Sequence, residues 1–219
     1  MNISLLIQAD STILSFCLQK SYAHPEGLVE DALSVIKASG VRQVIPVALA
    51  HAGWVAIELR RRQGEQIPKL MLIDWIILEA PAPFLGALQA RQDPTQWQQT
   101  RDHLFSMWLE GIDNSALINF VQQDMGAHGA QMWRRAGREI TSAYVRAGSP
   151  LNALSALNPP VPVLHLYAQP TDLAFLHAQQ SFATSHRWFH VQRVQARSHF
   201  PMFEVPDEMA TAIETFVAG

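Results

Sequence analysis

The sequence predicts an α/β protein with a mostly parallel sheet, flanking helices and a block of helices inserted between two strands. Short apolar runs of strand length alternate with stretches of helical periodicity on both sides of residues 84–157, where almost every segment has helical spacing. Residues 69–73 (KLMLI) form a short run that is apolar after Lys69, as expected of a parallel strand buried on both faces. We therefore expect a core built from residues 1–83 and 158–219, covered by a helical cap at residues 84–157.

Periodicity and end signals place the other elements in order. Asp93 followed by Pro94 predicts a helix start in the inserted block, and Asn114 is expected to cap a further helix. The remaining elements are predicted as helices at residues 27–39, 53–62, 128–146, 173–185 and 207–218, and as strands at residues 41–49, 161–167 and 188–196.

Residues 1–23 allow two interpretations. The first is an ordinary strand at residues 3–8 followed by a short helix. The second is that this segment replaces native sequence, so that the N-terminal strands of the sheet are missing. Such a sheet would expose an apolar edge, for which we expect poor solubility or a homo-oligomer.

Composition excludes several classes of function. The 219 residues carry a net charge of −3, which leaves no basic footprint for nucleic acid. Cys17 is the only cysteine, and no Cys/His cluster has metal-ligand spacing, so we expect a reducing, cytoplasmic setting and no metal. No apolar run approaches the ~18–20 residues of a membrane helix. The sequence therefore predicts a protein that acts on a small molecule and has no nucleic-acid or membrane partner.

A strand-to-helix turn at residues 48–53 has the sequence ALAHAG. In α/β-hydrolases this turn has the pattern G-x-S-x-G, and the serine oxygen is the nucleophile. The small residues that the turn needs are present, but the serine position is Ala50, followed by His51. Because alanine has no oxygen, acyl-enzyme chemistry through position 50 is excluded.

A carboxylate and a histidine follow later strands in the order found in α/β-hydrolases. Asp74 comes directly after the run at residues 69–73, and His199 follows the last predicted strand. Since ligands of open α/β sheets bind at the carboxyl ends of the strands, we expect both side chains at one pocket. Asp172 also follows a strand end and is an alternative acid for His199.

Longer segments resemble the cofactor-independent 3-hydroxy-4-quinolone 2,4-dioxygenases, which have the α/β-hydrolase fold. The resemblance extends from about His24 to the C-terminus, and its segments are VALAHAGWVAIELRRR, LMLIDWIILEAPAPFL, DPTQWQQTRDHLFSMWLEGID, MWRRAGREITSAYVRAGSPLNAL, PVLHLYAQP and ARSHFPMFEVP. It implies that His199 is the base, Asp74 its supporting acid and Trp133 a pocket residue of the cap, with Ala50 in place of the elbow serine. The family's first strands, oxyanion segment and W-R-G-H-G stretch have no counterpart here.

The resemblance implies a reaction without metal or flavin. The base takes the proton from the 3-hydroxyl of a 4-quinolone, and the anion reacts directly with dioxygen, opening the ring with loss of carbon monoxide. His51, Trp75 and Trp108 join Ala50 and Trp133 as candidate substrate-binding residues. The alternatives are a catalytically impaired or truncated protein that only binds ligand, and a lyase or hydrolase that uses His199 to activate water.

Overall fold

The computed structural model describes residues 3–9, 12–18 and 26–219, with side chains from residue 27 onward. Its strands are β1 (Ile3–Ala9), β2 (Thr12–Leu18), β3 (Ile45–Leu49), β4 (Leu70–Ile73), β5 (Val163–Tyr167) and β6 (Phe189–Arg193). They form one sheet in the order β2-β1-β3-β4-β5-β6. Strands β3 to β6 are parallel, and β1 is antiparallel to both of its neighbours. The predicted α/β-hydrolase-type fold is therefore confirmed.

The N-terminal segment corrects one expectation. A strand near residues 3–8 is present as β1, but the short helix expected after it is wrong, because Thr12–Leu18 forms strand β2 and pairs with β1. The expected apolar edge depends on side chains before residue 27, which lie outside the described residues. The hypothesis that residues 1–23 replace native sequence stays a prediction.

Helices cover both faces of the sheet. They are α1 (Glu26–Ser39), α2 (Gly53–Gln63), α8 (Leu173–Ser185), the short α9 (Pro201–Glu204) and α10 (Pro206–Ala218). Alternate residues of β4 face opposite sides, as the twofold period of a strand requires. Leu70 and Leu72 pack with α1 and α2, whereas Met71 and Ile73 pack with α10. Both faces of β4 are therefore apolar and buried, and the polar residue Asp74 follows at its carboxyl end.

All the elements between β4 and β5 are helical. They are α3 (Ala82–Gln92), α4 (Trp97–Trp108), α5 (Ser115–Asn119), a π-helix (Phe120–Met125), α6 (Ala130–Ala147) and α7 (Pro150–Ser155). The predicted cap of Asn114 is confirmed, since its side chain accepts a hydrogen bond from the amide of Leu117. The hydrogen bonds agree with the helix start predicted at Asp93, because its carboxylate accepts the amide of Thr95 and its carbonyl oxygen accepts that of Trp97. The regular turns of α4 begin only at Trp97.

Two close approaches fix the positions of the helices. A Cβ on Gly53 would lie 2.1 Å from the Trp75 ring, so the start of α2 packs directly on that indole. A Cβ on Gly137 would lie 2.8 Å from the carbonyl oxygen of Leu88, so α6 and α3 touch through their backbones. Within the described part of the chain, no helix combines the length and apolarity needed to cross a membrane.

Candidate active site

The turn after β3 has the strained geometry of a nucleophile elbow. Ala50 has a φ of +50°, in the left-handed region that residues with a Cβ rarely adopt, and a short 3₁₀ turn then leads into α2. Such strain persists only where the surrounding structure enforces it, and it is common at functional sites. The elbow is therefore formed, although residue 50 supplies no nucleophile.

The acid lies at the end of β4 and is held rigidly. Asp74 also has a positive φ, +45°, and is only 2% exposed. Its Oδ1 accepts the backbone amides of Ala168 (2.6 Å) and Gln169 (2.8 Å), which directly follow β5. Its Oδ2 lies 2.6 Å from Nδ1 of His199. One carboxylate thus joins the ends of β4 and β5 to the histidine loop.

The geometry fixes the tautomer of His199. A carboxylate can only accept a hydrogen bond, so Nδ1 must carry the proton that faces Asp74, and Nε2 is left able to take another. Trp108 of the cap stacks on the imidazole at 5.1 Å between ring centroids, with planes 13° apart. The ring is therefore oriented by the acid on one side and the cap on the other.

The loop that carries His199 is braced by a residue for which no role was predicted. Glu204 accepts the amide of Ser198 at 2.7 Å and also its hydroxyl, and the hydroxyl oxygen in turn accepts the amide of Phe200. No residue-type pattern marks Glu204, because its role depends on the loop folding back onto α9.

Asp172, the alternative acid, does not face the histidine. It is exposed, and its Oδ1 accepts the amide of Ala174 at 2.8 Å, which caps the first turn of α8. The carboxylate that contacts His199 is that of Asp74.

Two of the candidate tryptophans are parts of the packed core. Trp75 is buried behind the elbow, with its ring edge-on to Trp54 at 5.0 Å. Trp133 is fully buried, and its Nε1 donates to the carbonyl oxygen of His128. Trp133 belongs to the same apolar cluster as Trp108, next to the histidine loop. The cap helices therefore pack against the loop that carries His199.

The expectation that the acid, the base and Trp133 line one pocket stays a prediction, and the larger described cavity is lined by none of the three. That cavity has a volume of about 950 Å³ and lies among α1, α2, α6 and α7. Its lining includes His51 but neither His199, Asp74 nor Trp133. Burial lowers the pKa of His51 to about 3, and the nearby charges of Arg91 and His199 add to this effect. His51 is therefore neutral near pH 7, and it lines the cavity at the elbow, directly after Ala50.

A second histidine, His165, contacts the backbone next to the acid. His165 on β5 accepts the backbone amide of Trp75 through Nε2 at 3.3 Å, and its Nδ1 lies 2.6 Å from Oε1 of Gln179. Burial lowers its pKa to about 4, so it is neutral and Nδ1 is the donor to the glutamine. The contact fixes the residue after Asp74. An apolar strand with one histidine gave no signal of this role.

No group of three potential metal ligands occurs within the described residues. The strained turn after β3, the acid after β4 and the histidine after β6 define this chain as an α/β-hydrolase-fold protein. Its site contains a histidine–carboxylate pair, while residue 50 cannot form a covalent intermediate.

Comparison with known proteins identifies the family. The chain is 37% identical over 193 residues to a 2-heptyl-3-hydroxy-4(1H)-quinolone dioxygenase of Mycobacteroides abscessus, covering 88% of this chain and 72% of that protein. It is 35% identical over 191 residues to the 1H-3-hydroxy-4-oxoquinoline 2,4-dioxygenase of Pseudomonas putida, covering 87% and 72%. The chain belongs to the family of 3-hydroxy-4-quinolone 2,4-dioxygenases. No protein-family model matches it.

Solved structures agree. The structure superposes with a TM-score of 0.86 and 33% identity on a variant of AqdC, a dioxygenase that cleaves the Pseudomonas quinolone signal, in complex with its substrate. The match covers 92% of this chain and 77% of that one. An enol-lactonase of Burkholderia xenovorans matches at 15% identity and a TM-score of 0.68, which shows a shared fold alone.

A serine at position 50 would add the hydroxyl that α/β-hydrolases carry at the elbow. We expect Ala50→Ser to strengthen binding or turnover of a 3-hydroxy-4-quinolone by roughly fivefold, because one added hydrogen bond is worth about 1 kcal/mol. Ligand titration and steady-state kinetics would measure this. Ala50→Gly is the matched control, since it relieves the positive φ without adding a hydroxyl. An equal gain in the glycine variant would contradict the prediction.

Proposed function

We propose that this protein cleaves the ring of a 3-hydroxy-4-quinolone with dioxygen, without metal or flavin, using His199 as general base and Asp74 as its positioning acid. The observation that carries the proposal is the contact between His199 Nδ1 and Asp74 Oδ2, with the carboxylate held by two backbone amides. A base so oriented typically contributes about 10²- to 10⁴-fold to a rate. Family membership supports the substrate class.

The reaction follows from proton removal. His199 Nε2 takes the proton of the 3-hydroxyl, and the imidazolium is stabilised by Asp74. The electron-rich anion adds dioxygen across carbons 2 and 4, the positions that the family name specifies. The bonds from carbon 3 to its neighbours then break, carbon 3 leaves with its oxygen as carbon monoxide, and the two atoms of dioxygen remain in the amide and the carboxylate. The proton returns to the product, so that substrate and dioxygen give an N-acylanthranilate and carbon monoxide.

The site residues have separate roles in this proposal. Trp108 holds the imidazole plane. Trp133 packs in the cap cluster beside the histidine loop, and the neutral His51 lines the cavity. We propose that substrate enters through the cavity beside His51, because it is the candidate binding residue that lines this space. The relatives do not favour a ligand-binding remnant or a hydrolase, and Ala50 excludes acyl-enzyme hydrolysis.

Purified protein mixed with 3-hydroxy-2-methyl-4-quinolone tests the function. Dioxygen consumption, carbon monoxide release and loss of quinolone absorbance should occur in equal amounts. The matched ligand 2-methyl-4-quinolone lacks the acidic hydroxyl and should give none of the three. If no dioxygen is consumed above the buffer rate, and quinolone absorbance does not change on binding, the proposal is wrong.

A further inference from the structure

Arg91, in the last turn of α3, is a buried cation whose partner within the described residues is an aromatic ring, that of Trp133, and not an anion. It is 5% exposed, and its buried Nε has no acceptor. Arg60, the other buried arginine of the described chain, instead donates to the carbonyl oxygens of Gly64, Ile67 and Pro159. Within the described residues, Arg91 makes no hydrogen bond or ion pair. A buried charge normally has such partners, because its desolvation is costly.

The position of Arg91 relates it to the active site. Its guanidinium carbon lies 5.4 Å from the centre of the Trp133 ring, in the cap cluster that packs on the histidine loop. The same cluster contains Phe200, the residue after His199, and Trp108, which stacks on the His199 imidazole. The guanidinium is therefore one aromatic layer away from the residues that hold the histidine.

The packing of the cap holds Arg91 there. At Gly137, helix α6 approaches α3 so closely that an added Cβ would lie 2.8 Å from the Leu88 carbonyl and 3.5 Å from the Cβ of Arg91. Burial lowers the pKa of Arg91 to about 10, so the side chain stays charged near pH 7. The carboxylate of Asp74 does not serve as its partner, because it is bound to His199 and two amides.

We propose that the Arg91 guanidinium binds the oxyanion that His199 creates on the substrate, by pairing with the neighbouring 3- and 4-oxygens of the deprotonated quinolone. The inference rests on the proposed function. The fork of guanidinium N–H groups matches two oxygens side by side, and a charged acceptor makes such bonds strong. An anion is the partner that the resting site lacks.

Arg91 offsets the negative charge of Asp74 and leaves a positive charge for the substrate anion. Before the proton moves, the charges of Asp74 and Arg91 cancel, and the base must be neutral to accept the proton. Once the proton has moved, His199 is positive and the substrate negative, so the four groups again sum to zero. Without Arg91 these groups would sum to −1 both before and after the proton moves, and the substrate anion would face only the imidazolium of His199, whose positive charge is already paired with Asp74.

Ligand ionisation measures the effect. For 3-hydroxy-2-methyl-4-quinolone bound to protein, Arg91→Leu should raise the pH at which the bound ligand loses its proton by about 1 to 3, the range expected for removing a nearby opposite charge. Arg91→Lys should restore part of the difference. Binding of 2-methyl-4-quinolone, which lacks the hydroxyl, should stay within about twofold of the wild type, because neutral ligands gain little from charge.

The controls separate binding from folding. Arg134→Leu is matched, because Arg134 is a part-buried cap arginine that donates to the carbonyl of Gln92, and it should leave the ligand pH midpoint unchanged. Arg91→Leu should melt at or above the wild-type temperature, since it removes an uncompensated buried charge. An unchanged midpoint, or equal weakening of both ligands, would overturn this inference alone. A wild type that fails to bind or ionise the quinolone would overturn the proposed function and this inference together.

Discussion

Replacing Asp74 by asparagine is expected to reduce ring cleavage by about 10²- to 10⁴-fold while the protein stays folded. The asparagine oxygen can still accept the amides of Ala168 and Gln169, so the junction of β4 and β5 keeps its hydrogen bonds. Its NH₂ group would then face His199 Nδ1 and could only donate. The imidazole must respond by accepting at Nδ1 and protonating Nε2, which removes the base.

A second substitution at this position separates catalysis from stability. Asp74→Ala leaves two buried amides without an acceptor and should lower the free energy of unfolding by about 2–5 kcal/mol. Denaturant unfolding and steady-state kinetics on both variants would test the pair of expectations. Asp172→Asn is the matched control, because that carboxylate caps α8 and is exposed. A fully active Asp74→Asn variant, or an inactive Asp172→Asn variant, would contradict the assignment of the acid.

The sheet and its order of functional strand ends could be predicted because they depend on local pattern. The run that became β4 is apolar throughout and is buried throughout. Strand β2 was missed, because an apolar segment of seven residues does not by its periodicity distinguish a strand from a helix. Its identity depends on pairing with β1, which is a tertiary contact.

The choice between the two acids required three-dimensional information. Asp74 and Asp172 both follow strand ends, and residue type alone does not separate them. The structure separates them because Asp74 directly follows β4, whereas Asp172 lies farther beyond β5 and starts a helix. Arg91 gave no signal either, since one arginine in a helix is usually solvated. Its burial results from the close contact of α3 with α6 at Gly137.

Replacing His199 by alanine should abolish measurable turnover near pH 7 and, with it, the absorbance change that marks the bound quinolone anion. The variant keeps the elbow, the acid and the cap, but no group remains within reach to take the 3-hydroxyl proton. His51 cannot substitute, because burial holds its pKa at about 3 and makes it too weak a base. Dioxygen consumption and ligand spectra, each measured against pH, would check this expectation.

The pH profile distinguishes a lost base from a lost fold. As the pH rises through the substrate's own ionisation in solution, the ligand enters as an anion and no longer needs His199, so the variant should regain much of its rate. A misfolded site would regain nothing. His177→Ala is the control, because His177 is exposed on α8 and its loss should leave the profile unchanged. If the alanine variant at position 199 still shifts the quinolone spectrum near pH 7, the base is another residue, and the proton path through His199 and Asp74 must be abandoned.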